Sequence, residues 1–300
     1  MNERGASPGA GLDQLASFTI PGCHARGRVV RLGPVLDRIL AAHDYPAPIQ
    51  QLLAEALVLA ALMGGLLKRE GSQLTLQAQT SGGVVELLVC DYRDGELRGY
   101  VQHDPVRLAE LGDEPSLSEL FGDGHLAITF DLPATSQRYQ GVVPLEGNSL
   151  SAAVEVYFAQ SEQVPTLIRT ATDAGARPNI AGGLLVQHLA DGEEGRERLH
   201  VRADHPEWEH VAVLAHSIRP DELADASLPL EGIVWRLFHE EPEVRVQASV
   251  PLSRGCRCST VHFEEVLARF PKEDRRDMRD ENGIILVDCA FCSREFAIQD

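Results

Sequence analysis

Four of the six cysteines stand near the carboxy end as two tight pairs, Cys256-Arg257-Cys258 and Cys289-Ala290-Phe291-Cys292. Two close pairs separated by a helix-length insert can bring four thiolates to one tetrahedral ion, with Zn–S bonds of about 2.3 Å and sulfurs roughly 3.8 Å apart. The CxC spacing is the unusual half. Residues two apart on an extended chain have Cα atoms roughly 6.6 Å apart, near the upper limit of about 6.8 Å for a disulfide. This pair can close on itself if a metal leaves and the chain bends, giving a strained, readily reduced bond.

The pairs also bound what the last segment can fold into. Residues 251–300 bury too little surface to be comfortably stable alone, and a bound zinc contributes on the order of 10 to 16 kcal/mol in small metal domains. Within the segment, Ser259 can cap a helix carrying Val261, Val266, Leu267 and Phe270, and Gly283 leads into a strand over residues 284–287. The second cysteine pair follows that strand directly.

Before this module the chain reads as α+β. Residues 24–32 alternate as a strand, residues 34–43 open a helix with proline in its first turn, and residues 48–69 form a long apolar helix. That run has nearly the length of a membrane span. It includes Gln50, Gln51 and Glu55 and ends at Lys68-Arg69-Glu70, so a buried core helix is expected. Residues 73–80, 84–92 and 96–102 are β-rich, the last two joined across Asp94-Gly95, a strong hairpin signal. Residues 125–131 and 138–143 form a further pair, residues 149–160 a helix, and residues 165–172 and 180–189 two more strands. The expected body is a mixed domain with a largely antiparallel sheet, spanning residues 16–191 after a flexible extension over residues 1–15.

Residues 191–197, a charged and glycine-containing stretch, mark a domain edge. Two amphipathic helices follow in a helical linker over residues 192–250. Trp208, Val211, Ala215 and Ile218 share one face, and Leu230, Ile233, Val234, Leu237 and Phe238 share another at the spacing i, i+3, i+4, i+7, i+8. The simplest role for both stripes is packing onto the body.

Composition narrows the partners. A net charge of −18 and a pI near 5.0 repel phosphate backbones, which disfavours a nucleic-acid-binding zinc ribbon. No secretory leader opens the chain, so a reducing cytoplasmic address is expected, where paired cysteines serve as metal ligands or redox sensors rather than structural disulfides. No phosphate loop, GxSxG elbow or HExxH motif occurs. Thioredoxin-like catalysis and an iron–sulfur cluster fit the cysteine pattern less well than zinc. His262 is a spare ligand beside a complete set of four, Arg254, Arg257 and Arg294 can offset the charge of a zinc tetrathiolate, and Cys23 and Cys90 have no close sequence partner. Metal-held thiolates are the form that oxidants attack, so spacing leaves both a structural and a sensory zinc site open.

The residues also carry a resemblance. Gly255-Cys256-Arg257-Cys258-Ser259 and Val287-Asp288-Cys289-Ala290-Phe291-Cys292 resemble the zinc centre of the 33-kilodalton heat-shock protein family, redox-regulated holdase chaperones of the bacterial cytosol. Tyr157-Phe158-Ala159-Gln160-Ser161-Glu162-Gln163-Val164-Pro165-Thr166 is close to that family's YFxxSEQxPT signature, and residues 26–32 and 74–77 match its amino-terminal half. Arg254, where an aromatic residue is common, and Ser81-Gly82-Gly83, in place of a glycine-proline, are minor departures.

The resemblance implies a binding protein rather than an enzyme. It implies one Zn2+ per reduced chain on Cys256, Cys258, Cys289 and Cys292, and a monomer in that state. Oxidation would form Cys256–Cys258 and Cys289–Cys292 disulfides, expel zinc, unfold the module and destabilise the linker. The oxidised form would dimerise, bind unfolded client proteins without ATP, and later hand them to ATP-dependent chaperones. Trp208, Val211, Ile218, Leu230, Ile233, Val234, Leu237 and Phe238 are then candidates for the client-binding surface. A zinc-ribbon regulator binding nucleic acid or a protein partner is the alternative.

Overall fold

The structure, a computed structural model, describes residues 11–173, 179–189 and 205–299. Residues 191–197 and most of the expected extension lie outside that range. Strand β1 (Gln14–Ile20) starts two residues before the expected body and pairs antiparallel with β2 (Ala25–Leu32). Helix α1 (Pro34–Leu40) follows, then α2 (Ala47–Gly64). Both begin with proline in the first turn, where the missing N–H removes no helical bond. Both end earlier than periodicity suggests.

Next come β3 (Gln73–Gln79), β4 (Val85–Arg93) and β5 (Glu96–His103). Asp94 and Gly95 turn the β4–β5 hairpin with φ of 50° and 83°, the left-handed pair that a two-residue hairpin turn requires. Two short helices, α3 (Pro105–Ala109) capped by Asp104 and α4 (Leu117–Phe121) with a Ser116–Glu119 capping box, precede β6 (His125–Leu132) and β7 (Gln137–Pro144). Helix α5 (Leu150–Tyr157) runs into a π turn, and β8 (Thr166–Asp173) and β9 (Ile180–His188) follow.

The linker region contains α6 (Pro206–His216), α7 (Pro220–Ala224) and α8 (Leu230–Phe238). Three two-residue strands come next: β10 (Arg245–Val246), β11 (Val250–Pro251) and β12 (Ser253–Arg254). The chain closes with α9 (Thr260–Leu267), α10 (Lys272–Asp277) and the hairpin β13 (Ile284–Asp288) and β14 (Glu295–Gln299).

Where one largely antiparallel sheet is expected, two six-stranded sheets form. The first has the order β10-β1-β2-β9-β8, with β11 also on β1; the second has the order β12-β5-β4-β3-β6-β7, and only its β12–β5 pair is parallel. Helix α2 touches strands of both sheets. By length and composition it is apolar enough to cross a membrane, yet 72% of it is buried inside the protein. It is the core helix: Leu53, Leu57 and Leu62 pack with Val30 and Leu185 from the first sheet and Leu76 and Leu88 from the second.

The first sheet is covered on both faces, because alternate residues of a strand point to opposite sides. Val30 faces α2, whereas its neighbour Val29 joins Phe18, Leu184 and Val186 in a second core with α6, α7 and α8. Both linker stripes are buried there as drawn from periodicity, from Trp208 and Val211 to Leu237 and Phe238. Trp235 lies on the opposite face of α8 and is 66% exposed, so only Trp208 is positioned to report on packing of the linker.

Close approach within the second core has a measurable consequence. Phe18 lies opposite Gly27 across the β1–β2 pair, and a Cβ on Gly27 would stand 2.1 Å from the Phe18 ring. The ring is fully buried and lies tilted against Phe238, so it has little room to yield. Gly27→Ala is expected to destabilise the protein by about 1–3 kcal/mol through overpacking, read as a lower urea midpoint. An unchanged midpoint would refute this.

Candidate metal centre

The four cysteines meet where the end of one sheet edge faces the turn of the terminal hairpin. Strand β12 extends the second sheet beside β5, with the Ser253 and Gly255 amides donating to the Gly95 and Leu97 carbonyls at 2.9 Å each. This delivers Cys256 and Cys258 to the sheet margin. Ser259 then caps α9, its hydroxyl accepting the His262 amide at 3.2 Å.

Cys289 follows β13, and the Cys292 and Ser293 amides donate to its carbonyl at 3.1 and 2.8 Å. Its own amide donates to Arg294 at 3.0 Å, so the second pair sits inside a closed turn between β13 and β14. All four Sγ atoms lie within 4.8 Å of one another. Cys256 and Cys258 are 3.3 Å apart, Cys256 and Cys289 3.6 Å, and Cys258 and Cys292 3.5 Å. These separations approach the roughly 3.8 Å of a zinc tetrathiolate. Among the described residues this is the one cluster with metal-ligand geometry.

The protonation chemistry of this donor set fits a cation. Burial pushes the Cys256 thiol up, but hydrogen bonds from the Cys258 backbone and from the surrounding thiols outweigh it and leave Cys256 below the ordinary thiol range. Cys258 and Cys289 are both held above that range, by burial first and then by neighbouring sulfurs. Cys256 thus gives up its proton most readily, and Cys258 and Cys289 resist joining it without a positive charge nearby. Four thiolates at these distances require a positive ion among them.

The module is fastened to the body by contacts that no motif announces. Asp91 on β4 is 4% exposed and accepts from Arg98 at 2.7 Å and from Thr75 at 2.6 Å. Arg257, between the first two cysteines, donates to the same carboxylate at 3.3 Å and to Gln73 at 3.0 Å. It serves docking here. Phe291, between the second two, meets Tyr100 edge-on at 4.9 Å and lies under the Arg98 guanidinium at 3.9 Å. Ser293 pairs with His43 at 3.2 Å. His262 stands outside the cluster, its ring tilted against Phe263. Cys23 donates to Glu241 at 3.3 Å, and Cys90 is fully buried in β4; neither joins the four.

Fold and site together define an α+β protein with a docked, four-thiol module of metal-ligand geometry at its carboxy end. The family described as Hsp33 protein matches residues 13–299. The 33 kDa chaperonin of Caulobacter vibrioides is 40% identical over 295 residues, covering 95% of this chain and 94% of that protein. The 33 kDa chaperonin of Yersinia pestis is 34% identical over 285 residues, covering 95% and 91%. In fold, the chain is similar to the crystal structure of the 33 kDa chaperonin, a heat shock protein 33 homolog, from Thermotoga maritima, with a TM-score of 0.77, 21% identity, and coverage of 96% and 95%. The chain belongs to the Hsp33 family of chaperones.

Proposed function

We propose that this protein is an ATP-independent holdase switched on by oxidation, with Cys256, Cys258, Cys289 and Cys292 as both metal ligands and redox centre. The reading is carried by one observation: four sulfurs within 4.8 Å of each other, two of them only 3.3 Å apart. One Zn2+ per chain would supply the positive charge that keeps all four as thiolates and would tie α9 to the terminal hairpin.

In the oxidation step Cys256 and Cys258 give up two electrons and join as a disulfide, while peroxide takes those electrons and two protons and leaves as water. Cys289 and Cys292 do the same with a second peroxide. Four donors are thereby withdrawn, and the module has too small an apolar core to stay folded. The boundaries proposed are a body over residues 16–191, a linker over 192–250 and the switch over 251–300.

Loss of the switch removes the Arg257 and Phe291 contacts and the β12 pairing from the body. The linker helices then loosen, and Trp208, Val211, Ile218, Leu230, Ile233, Val234, Leu237 and Phe238 become the surface for unfolded clients. The reduced form is a monomer and the oxidised form a homodimer. Clients pass on to ATP-dependent chaperones after reduction, in the cytoplasm.

The test follows zinc release with a colorimetric chelator during peroxide treatment, with light scattering of guanidinium-unfolded luciferase on the same samples. About one zinc should be released per chain, and scattering should be suppressed by the oxidised protein alone. Equal suppression by the reduced, zinc-loaded protein would refute the switch. An activity lost rather than gained on metal removal would instead favour a zinc-ribbon regulator.

A further inference from the structure

Among the described residues Arg31 is the largest fully buried side chain, at 0% exposure. Strand alternation places it on the same side of β2 as Val29, facing the linker helices. An arginine there would extend into solvent if the linker were absent. Instead its guanidinium is spent on backbone: Nε donates to Leu223 at 2.9 Å, Nη1 to Leu228 at 2.6 Å and Nη2 to Glu222 at 3.1 Å. Glu222 and Leu223 lie in α7, and Leu228 in the loop before α8. The last carbonyls of a helix have no partner within it, and the planar guanidinium fork can serve several at once.

The residue opposite Arg31 on β9 is Gly182. A Cβ there would stand 2.3 Å from the Leu223 oxygen and 2.9 Å from its carbonyl carbon. The obstruction would be backbone, which cannot swing aside as a flexible side chain can. Arg31 and Gly182 thus form a notch on the sheet: one residue grips the Leu223 carbonyl and the other leaves room for it. Leu223 itself is buried in the second core, so the notch fixes where the linker lies along the strands.

The grip is also self-limiting. All three partners are neutral carbonyls, which offset the lost hydration of a guanidinium less completely than a bidentate carboxylate would. Burial accordingly pulls the Arg31 pKa down. That penalty exists only while the linker is docked, and on release water restores the lost hydration.

We propose that the Arg31–Gly182 notch is the latch that sets the register of the linker helices on the body and determines how readily they leave. This rests on linker release being the activating event. It adds that the threshold is written in the body, far along the chain from the cysteines.

The test uses the full-length, reduced, zinc-loaded protein and hydrogen exchange read by mass spectrometry. Arg31→Met and Gly182→Ala should each accelerate exchange of α7 and α8 on the order of 100-fold, since buried acceptors lose their donor or are pushed off it. Exchange in β3 to β7 and zinc content should match the parent protein. Should Arg31→Met fail to fold, Arg31→Lys, which keeps the charge but not the fork, takes its place. Unchanged α7 and α8 exchange in both positions, or equal acceleration across β3 to β7, would overturn the latch. Luciferase scattering on the same samples separates the two readings. Selective linker opening without holdase gain would sink the release mechanism and leave the latch standing.

Discussion

Cys289→Ser is expected to abolish tight zinc binding and to unfold residues 251–299, β12 included, while strands β1 to β9 persist. Ser259 caps α9 and the β13–β14 ladder is regular, but these local features do not make a core. The module's own apolar cluster is Leu267, Ile285 and Ile298, with Phe263, Val287 and Phe296 packed at their margin. So few buried side chains do not offset the conformational entropy of ordering the whole module, and a bound metal, contributing on the order of 10 to 16 kcal/mol in small zinc domains, is what makes its fold stable. Exchange should reach unprotected rates throughout β13 and β14 in the variant and in chelator-treated parent protein. Protection of that hairpin without metal would show that the module folds by itself.

Phe238→Ala should destabilise the linker's hold on the body by about 3–5 kcal/mol, the range for removing a buried aromatic ring. Phe238 is fully buried, its ring centroid 5.5 Å from that of Phe18 at the centre of the second core. Trp235→Ala, three residues earlier on the exposed face of α8, should change stability by no more than about 0.5 kcal/mol. The contrast is internal to one helix. Urea unfolding followed by Trp208 emission reads both, and the Trp235 variant leaves Trp208 as the sole indole. Comparable losses in the two variants would mean that the buried stripe is not what fastens α8.

Much of this was legible because the signals are local. Strand alternation drew β2 to β9 to within a few residues, and Asp94-Gly95 announced its hairpin. The two cysteine pairs each place two ligands within four residues, so only their meeting had to be inferred. The linker stripes were visible at helical period, and the structure buries every one of their residues.

The rest depends on partners distant in the chain. Strand β1 begins in a stretch whose polar lead-in resembles a tail, and its place comes from β2 on one side and β10 and β11 on the other. Two-residue strands such as β12 have no periodicity to read. Asp91 and Arg257 are 166 residues apart, and nothing near either one predicts their meeting. Arg31 reads as a surface arginine in an alternating strand; its burial is decided by α7, nearly two hundred residues on.

Residues 245–254 pass from the outer edge of one sheet to the outer edge of the other. β10 and β11 border β1, and β12 borders β5, with Leu252 pinned between by its amide, which donates a hydrogen bond to the Asp13 carbonyl at 2.7 Å. A bare strand edge offers rows of unpaired amides and carbonyls that any extended polypeptide can join. One short run of chain therefore works as a double hem. Unpicking it would open two backbone templates in a single event, on opposite halves of the body.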